Sequence, residues 1–190
     1  MEHYFKDVPS NWFDYPEIYD MAIQRASGSQ SVLFVELGVW FGQSMSYAGV
    51  EIINSGKLIK LQGIDSFLRG DQVDDDTPYD PNRHTEALRY TQPVKDVVEI
   101  IRADTRDAHK MYEDGSIDFL FIDANHDYES VLLDIKNWFP KVKKGGIIAG
   151  HDYNPNAFPG VIQAVNEFFG EENITVSNQS KSWIYEVPSE

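Results

Sequence analysis

The sequence contains no cysteine. That absence excludes disulfides, thiolate metal centres and cysteine nucleophiles, and it fits a reducing compartment. Basic residues are scarce too: 16 lysines and arginines stand against 31 aspartates and glutamates, a net charge of −15 over 190 residues. A surface of that sign repels phosphate backbones and anionic bilayers, so neither nucleic acid nor a membrane is expected as a partner. No apolar stretch reaches the ~20 residues that a membrane span requires. Met1–Ser10 carries Glu2, His3, Lys6 and Asp7 in place of the apolar run of a signal peptide. These features predict a cytoplasmic protein. No segment repeats at a period of roughly 20 to 50 residues, which excludes solenoids and propellers.

What is present is an ordinary globular composition, 42% hydrophobic and 25% charged, in a chain short enough for one core. The expectation is a single domain over 1–190 with a helical lead-in over 1–31. Val32–Leu37, Leu58–Asp65, Val97–Ile101, Phe119–Asp123 and Gly146–Gly150 read as strands, and Ile174–Val176 and Trp183–Val187 close the set. Gly42–Ile53, Glu129–Phe139 and Val161–Phe169 carry apolar residues at helical spacing. Tyr15–Ala26 reads as a preceding helix, capped by Asp14 with Pro16 in its first turn. Strands separated by helices specify an α/β fold: a doubly wound, mostly parallel seven-stranded sheet with helices on both faces. Arg69–Arg83 breaks the rhythm with Asp71, Asp74, Asp75, Asp76 and Asp80, two prolines and a glycine. It reads either as an acidic excursion or as a lid.

Open α/β sheets bind ligands beyond the carboxyl ends of their strands. There the first strand runs into Glu36-Leu37-Gly38-Val39-Trp40-Phe41-Gly42. Gly38 permits a sharp turn, and Gly42 marks a helix start whose free amides and positive dipole face outward. The pattern Glu-x-Gly-x-x-x-Gly differs from the Gly-x-Gly-x-x-Gly of dinucleotide enzymes, since Trp40 occupies the place a further glycine would need. Glu36 suits a cationic amino-acid head group better than a pyrophosphate. Asp65, ending the second strand within Gly63-Ile64-Asp65-Ser66-Phe67, can accept from two ribose hydroxyls. A capping role for it is disfavoured because no strong helix follows. Phe67 reads as an adenine platform or as core, and Asp104 as a partner of the adenine amino group or as the cap of a helix through Ala108.

Glu-x-Gly after strand one, with acids after strands two and three, resembles the class I methyltransferases that use S-adenosylmethionine. Ile122-Asp123-Ala124-Asn125-His126-Asp127-Tyr128-Glu129-Ser130, Trp138-Phe139-Pro140, Gly145-Gly146, Gly150-His151-Asp152-Tyr153 and Pro159-Gly160-Val161 narrow the resemblance to the small "family 24" methyltransferases. Kinship with the sugar O-methyltransferases of macrocin and aminocoumarin pathways is also suggested, and more distantly with catechol O-methyltransferase. The resemblance implies S-adenosylmethionine as cofactor, held by Glu36, Gly38, Gly42, Asp65, Ser66, Phe67, Asp104 and Asp123.

Asp123 ends the fourth strand and Asp152 follows the fifth. If those strands are neighbours, the two carboxylates can share a divalent cation such as Mg2+ or Mn2+, with His151 as third ligand. Adjacent strand residues point oppositely, so His151 and Asp152 can face one ion only where the strand has ended. The alternative is a metal-free turn in which His151 is a cap. His126 is the candidate base for a hydroxyl, with Asp123 beside it; Asp127 is the competing base. Tyr128 is expected against the sheet, Tyr153 and Asn154 at a substrate pocket, and Trp12, Phe13 and Tyr15 either over the site or on a self-association surface. The expected reaction is O-methylation of a small hydroxylated metabolite or sugar. A nicotinamide oxidoreductase and a non-catalytic cofactor-binding module are the competing readings, and a homo-oligomer is open.

Overall fold

The computed structural model describes residues 1–10, 12–68 and 81–189. Most of the acidic Arg69–Arg83 interval therefore lies outside the described residues. The seven strands are β1 (Val32–Leu37), β2 (Ile59–Asp65), β3 (Val98–Arg102), β4 (Ile117–Ile122), β5 (Val142–Gly150), β6 (Thr175–Val176) and β7 (Trp183–Glu186). They form one sheet in the order β3-β2-β1-β4-β5-β7-β6. Pairings among β1 to β5 are parallel, whereas β7 is antiparallel to both β5 and β6. The expected mostly parallel, doubly wound α/β sheet is what forms.

The two central strands explain why. In β1 and β4 nearly every residue is buried, as a strand covered on both faces must be. Alternation then sorts them. Phe34, Phe119 and Phe121 pack beneath α1 (Pro16–Arg25) and α2 (Gln43–Ser55). Val35, Leu37, Leu120 and Ile122 pack beneath α4 (Thr105–Ala108), α5 (Tyr128–Trp138) and α6 (Pro159–Phe169). The remaining helix, α3 (Arg83–Thr91), escaped the sequence reading. It buries only Arg83, Ala87 and Thr91, so its helical period carries almost no apolar signal.

Two local readings are corrected. Asp14 does not cap α1: the helix starts at Pro16 with Tyr15 as its flanking residue and no side-chain cap. Strand β5 begins at Val142, not Gly146, because Lys143 and Lys144 lie in an extended stretch whose pairing with β4 shifts register between Ile117 and Phe119. Tyr128 is half-buried against the core on this face of the sheet, as expected, and its hydroxyl reaches Glu167 of α6 at 2.7 Å. No helix among the described residues is long and apolar enough to cross a membrane.

Gly38 sets the tightest constraint. Its φ is +91°, and a Cβ there would lie 1.9 Å from the carbonyl oxygen of Asp123. Gly56 has φ +67° but open space around it. Gly38→Ala should therefore cost more than about 3 kcal/mol or prevent folding, while Gly56→Ala costs roughly 1 to 2 kcal/mol. Equal losses in urea unfolding would refute the steric argument.

Asp134 of α5 is 2% exposed, and its Oδ1 has no partner. Burial raises its pKa to about 7, against a hydrogen bond from Thr105 that lowers it. The unfolded carboxyl ionises near the ordinary value of 3.8 while the folded one resists, so native stability falls between about pH 4 and pH 7 on this account. Asp134→Asn should gain at least about 1 kcal/mol over the parent at pH 8 and nothing at pH 3. A pH-independent difference would remove the explanation.

Candidate functional site

Leu37, Ile64, Ile122 and Gly150 lie in register across β2, β1, β4 and β5. The residues at and just past these ends are Glu36, Asp65, Asp123, His151 and Asp152. Glu36 follows Phe34, and Asp123 follows Phe119 and Phe121, by steps of two, which directs both acids toward α1. Asp152 has φ +61°. With β5 already ended at Gly150, this left-handed turn frees Asp152 from strand alternation and brings it to the same place as His151.

His126, from the loop before α5, closes the cluster. Its Nε2 lies 2.9 Å from Asp152 Oδ2 and 3.9 Å from Asp123 Oδ1. Asp123, His126 and Asp152 can each turn one donor atom to within 4.8 Å of the others. His151 is adjacent but differently committed. Its Nδ1 is 3.3 Å from Asp152 Oδ1, and its Nε2 faces Asp14 Oδ1 at 3.0 Å. The third donor of the tight group is thus His126 and not His151, because Asp14 draws one ring nitrogen of His151 outward. Two carboxylates and an imidazole are hard and borderline donors that fit a divalent cation.

The electrostatics follow from this crowding. Burial would depress the His126 imidazolium, but the hydrogen bonds and charges of Asp123 and Asp152 outweigh it and hold the pKa at about 10. His151 is likewise held at about 9 despite its burial. The two imidazoles keep Asp152 well below the usual carboxylate range, against its own burial. His126 is accordingly a proton donor at neutral pH in this arrangement. Its competitor Asp127 caps α5, accepting from the Ser130 amide at 2.9 Å. A cavity of about 10 Å³ beside Asp123, Asn125, His126 and His151 has room for about one water.

On the other side of the mouth, Glu36 is fully buried. It accepts from the Ser44 hydroxyl at 2.5 Å and from the Tyr19 hydroxyl. Desolvation lifts its pKa to about 8, although both hydroxyls oppose that. Gly42, at φ +80°, stands at the start of α2 as expected. Asp65 does cap: Oδ2 accepts from the Val39 and Trp40 amides at 2.9 and 3.0 Å, and Oδ1 from the Phe67 amide at 2.6 Å. No helix was needed, because the glycine turn itself supplies the unpaired amides. The Ser66 hydroxyl accepts from the Leu68 amide at 3.2 Å. Phe67 is buried in the core with its ring 4.7 Å from that of His84. Asp104 caps α4, accepting from the Arg106 amide at 3.0 Å and pairing with its guanidinium.

Tyr19 was invisible in the sequence as a site residue, and Tyr15 was named there without a partner. Tyr15 donates to Asp123 Oδ2 at 2.9 Å, and Tyr19, one turn further along, donates to Glu36. Spacing of four on a buried helix face signals core packing and nothing more. Trp12 stacks on Trp40, centroids 5.0 Å apart, and is 58% exposed, while Tyr15 of the same lead-in reaches Asp123. Tyr153 turns to Asn166 of α6 at 2.7 Å, and the backbone amide of Asn154 bonds to the Asp152 carbonyl.

Comparison with known proteins agrees with this fold. Residues 35–153 match the family 24 methyltransferase domain. An uncharacterized protein of Acanthamoeba polyphaga mimivirus is 28% identical over 142 residues, covering 73% of this chain. The chain spans about three-fifths of that relative, the match covering 59% of its length. Among solved structures, a TDP-rhamnose 3'-O-methyltransferase of calicheamicin biosynthesis superposes with a TM-score of 0.61 at 16% identity, covering 90% of this chain and 76% of its own. An S-adenosylmethionine-dependent O-methyltransferase of Thermotoga maritima gives 0.63 at 12% identity, covering 96% and 69%. The structures share the fold, and the family match spans more than half of the sequence. This chain belongs to the S-adenosylmethionine-dependent methyltransferases of family 24.

Proposed function

We propose that this protein moves a methyl group from S-adenosylmethionine to a hydroxyl of a small, uncharged metabolite or sugar in the cytoplasm. The grouping of Asp123, His126 and Asp152 beside the glycine turn carries the reading. It places proton-handling groups within reach of a cofactor seated at that turn. The competing oxidoreductase lacks the third glycine and a hydride-transfer constellation. A non-catalytic module would leave this clustering of charge unused. The acidic surface disfavours nucleic acid as acceptor, and the rhamnose-directed relative of the same fold supports a sugar.

The chemistry asks mainly for alignment. An acceptor oxygen attacks the methyl carbon, the carbon–sulfur bond breaks, and its electron pair stays on sulfur as a neutral thioether. The acceptor proton passes to a carboxylate of Asp123 or Asp152, or to His126 once that ring has lost its own proton. Glu36, through Ser44 and Tyr19, sets the polarity of the turn that would receive the cofactor's ammonium group. Asp65 would add ribose hydroxyls to the amides it already holds. A divalent cation, if bound by Asp123, His126 and Asp152, would lower the acceptor pKa and anchor it. These residues fit one, with His151 and Asp14 orienting the group from behind.

Calorimetry should show S-adenosylhomocysteine binding and no comparable binding of NAD. Asp65→Asn should weaken the former roughly 10-fold or more, from loss of charged hydrogen bonds, with the circular dichroism unchanged. Unaltered affinity in a folded variant would put the ribose elsewhere.

Because His126 carries a proton at neutral pH, a cation taking its nitrogen must expel it. Mn2+ titrated at pH 7.5 in buffers of different ionisation enthalpy should release about one proton per site. His126→Gln should abolish that release, and affinity in the parent should rise with pH. No Mn2+ binding at millimolar concentration would remove the metal from the proposal.

A further inference from the structure

We propose that the Trp12–Trp40 indole pair is the platform on which the acceptor's ring rests, an uncharged, hydroxylated ring with an apolar face being the ligand class. The proposal deepens the methyltransferase reading and rests on it. Trp12 is the only exposed tryptophan, tyrosine or phenylalanine among the described residues, at 58%. It is nonetheless held: one face stacks on Trp40, rings 5.0 Å apart and 28° from parallel. Two residues on, Asp14 faces His151, and Tyr15 donates to Asp123. An exposed indole is thus pinned beside the reaction cluster by its own chain neighbours.

Trp40 is fixed from the opposite side. Its φ of +53° is a left-handed conformation that a bulky residue adopts only under constraint. Asp65 supplies the constraint by accepting from its amide, and the buried Arg83 guanidinium lies 4.3 Å from its ring centre. The stack of guanidinium, indole and indole therefore ties the glycine turn to the segment whose Asp14 and Tyr15 reach His151 and Asp123. Strain held at such a place is a mark of ligand sites.

Space and charge define the occupant. The void beside Asp123 and His126 has room for about one water and is lined beyond them by Ile122, Val131, Val161 and Trp183, so an acceptor ring must lie outside it. There the indole pair offers the apolar face. Asp65 accepts from the Trp40 amide, and Asp14, two residues from Trp12, faces His151, an acidity that penalises an anionic acceptor. An aromatic ring and the apolar face of a pyranose share the chemistry that stacks on indole.

The test uses the full chain saturated with S-adenosylhomocysteine, titrated with catechol and, separately, with methyl α-L-rhamnopyranoside, and read by ligand-observed saturation-transfer NMR. At least one ring should bind the parent. Trp12→Ala should weaken it roughly 5- to 10-fold and Trp12→Phe should restore most of the loss, with S-adenosylhomocysteine affinity unchanged in both. Loss confined to catechol identifies an aromatic acceptor, and loss confined to the pyranoside a sugar. Ring affinity equal in parent and Trp12→Ala overturns the platform, as does failure of both rings to bind the loaded parent. Failure of S-adenosylhomocysteine itself to bind sinks the methyltransferase reading and this proposal together.

Discussion

Gly38 touches the backbone of Asp123, and the site is organised around that contact. Only a residue without Cβ lets the turn after β1 close down on the end of β4. The same approach lets the Asp123 amide bond to the Leu37 carbonyl at 2.8 Å, and the Gly38 amide to Ile64 at 2.9 Å. Three strand ends are thereby locked together. The side chains that follow them have nowhere to go except one shared mouth.

That convergence concentrates acid, and the structure neutralises it locally. Glu36 and Asp123 receive hydroxyls from Tyr19 of α1 and from Tyr15 at its N-terminal flank. Asp152 receives His126 and His151, Asp14 receives His151, and Asp65 receives backbone amides. Each acid has a donor suited to its burial. The deepest, Glu36, has neutral hydroxyls, while the half-buried Asp152 has imidazoles that carry charge. Helix α1 is therefore part of the site, although it precedes the sheet in sequence and was expected merely to lead into it.

The residues with two roles are the informative ones. Asp65 braces the turn through three backbone amides and is also the proposed ribose partner. Tyr15 packs on Phe121 and orients Asp123. Such residues tie stability to function: loosening either one changes the shape of the mouth as well as the strength of the fold.

The sequence by itself determined the sheet and its direction. Apolar runs such as Val32–Leu37 and Phe119–Ile122 are strands wherever they are buried on both faces, and helices between them force parallel crossovers. It also determined that Glu36, Asp65, Asp123 and Asp152 would gather, since residues at parallel strand ends share one edge. It failed where the signal is not periodic, as in α3, whose buried residues include an arginine and a threonine. Tertiary structure alone decided which partner each acid takes. Tyr15 meets Asp123 across 108 positions, and Asp14 leaves its expected cap for His151. His126 rather than His151 completes the tight triad because Asp14 draws one ring nitrogen of His151 outward. Those choices depend on distances between elements far apart in the chain, and no local pattern of residues encodes them.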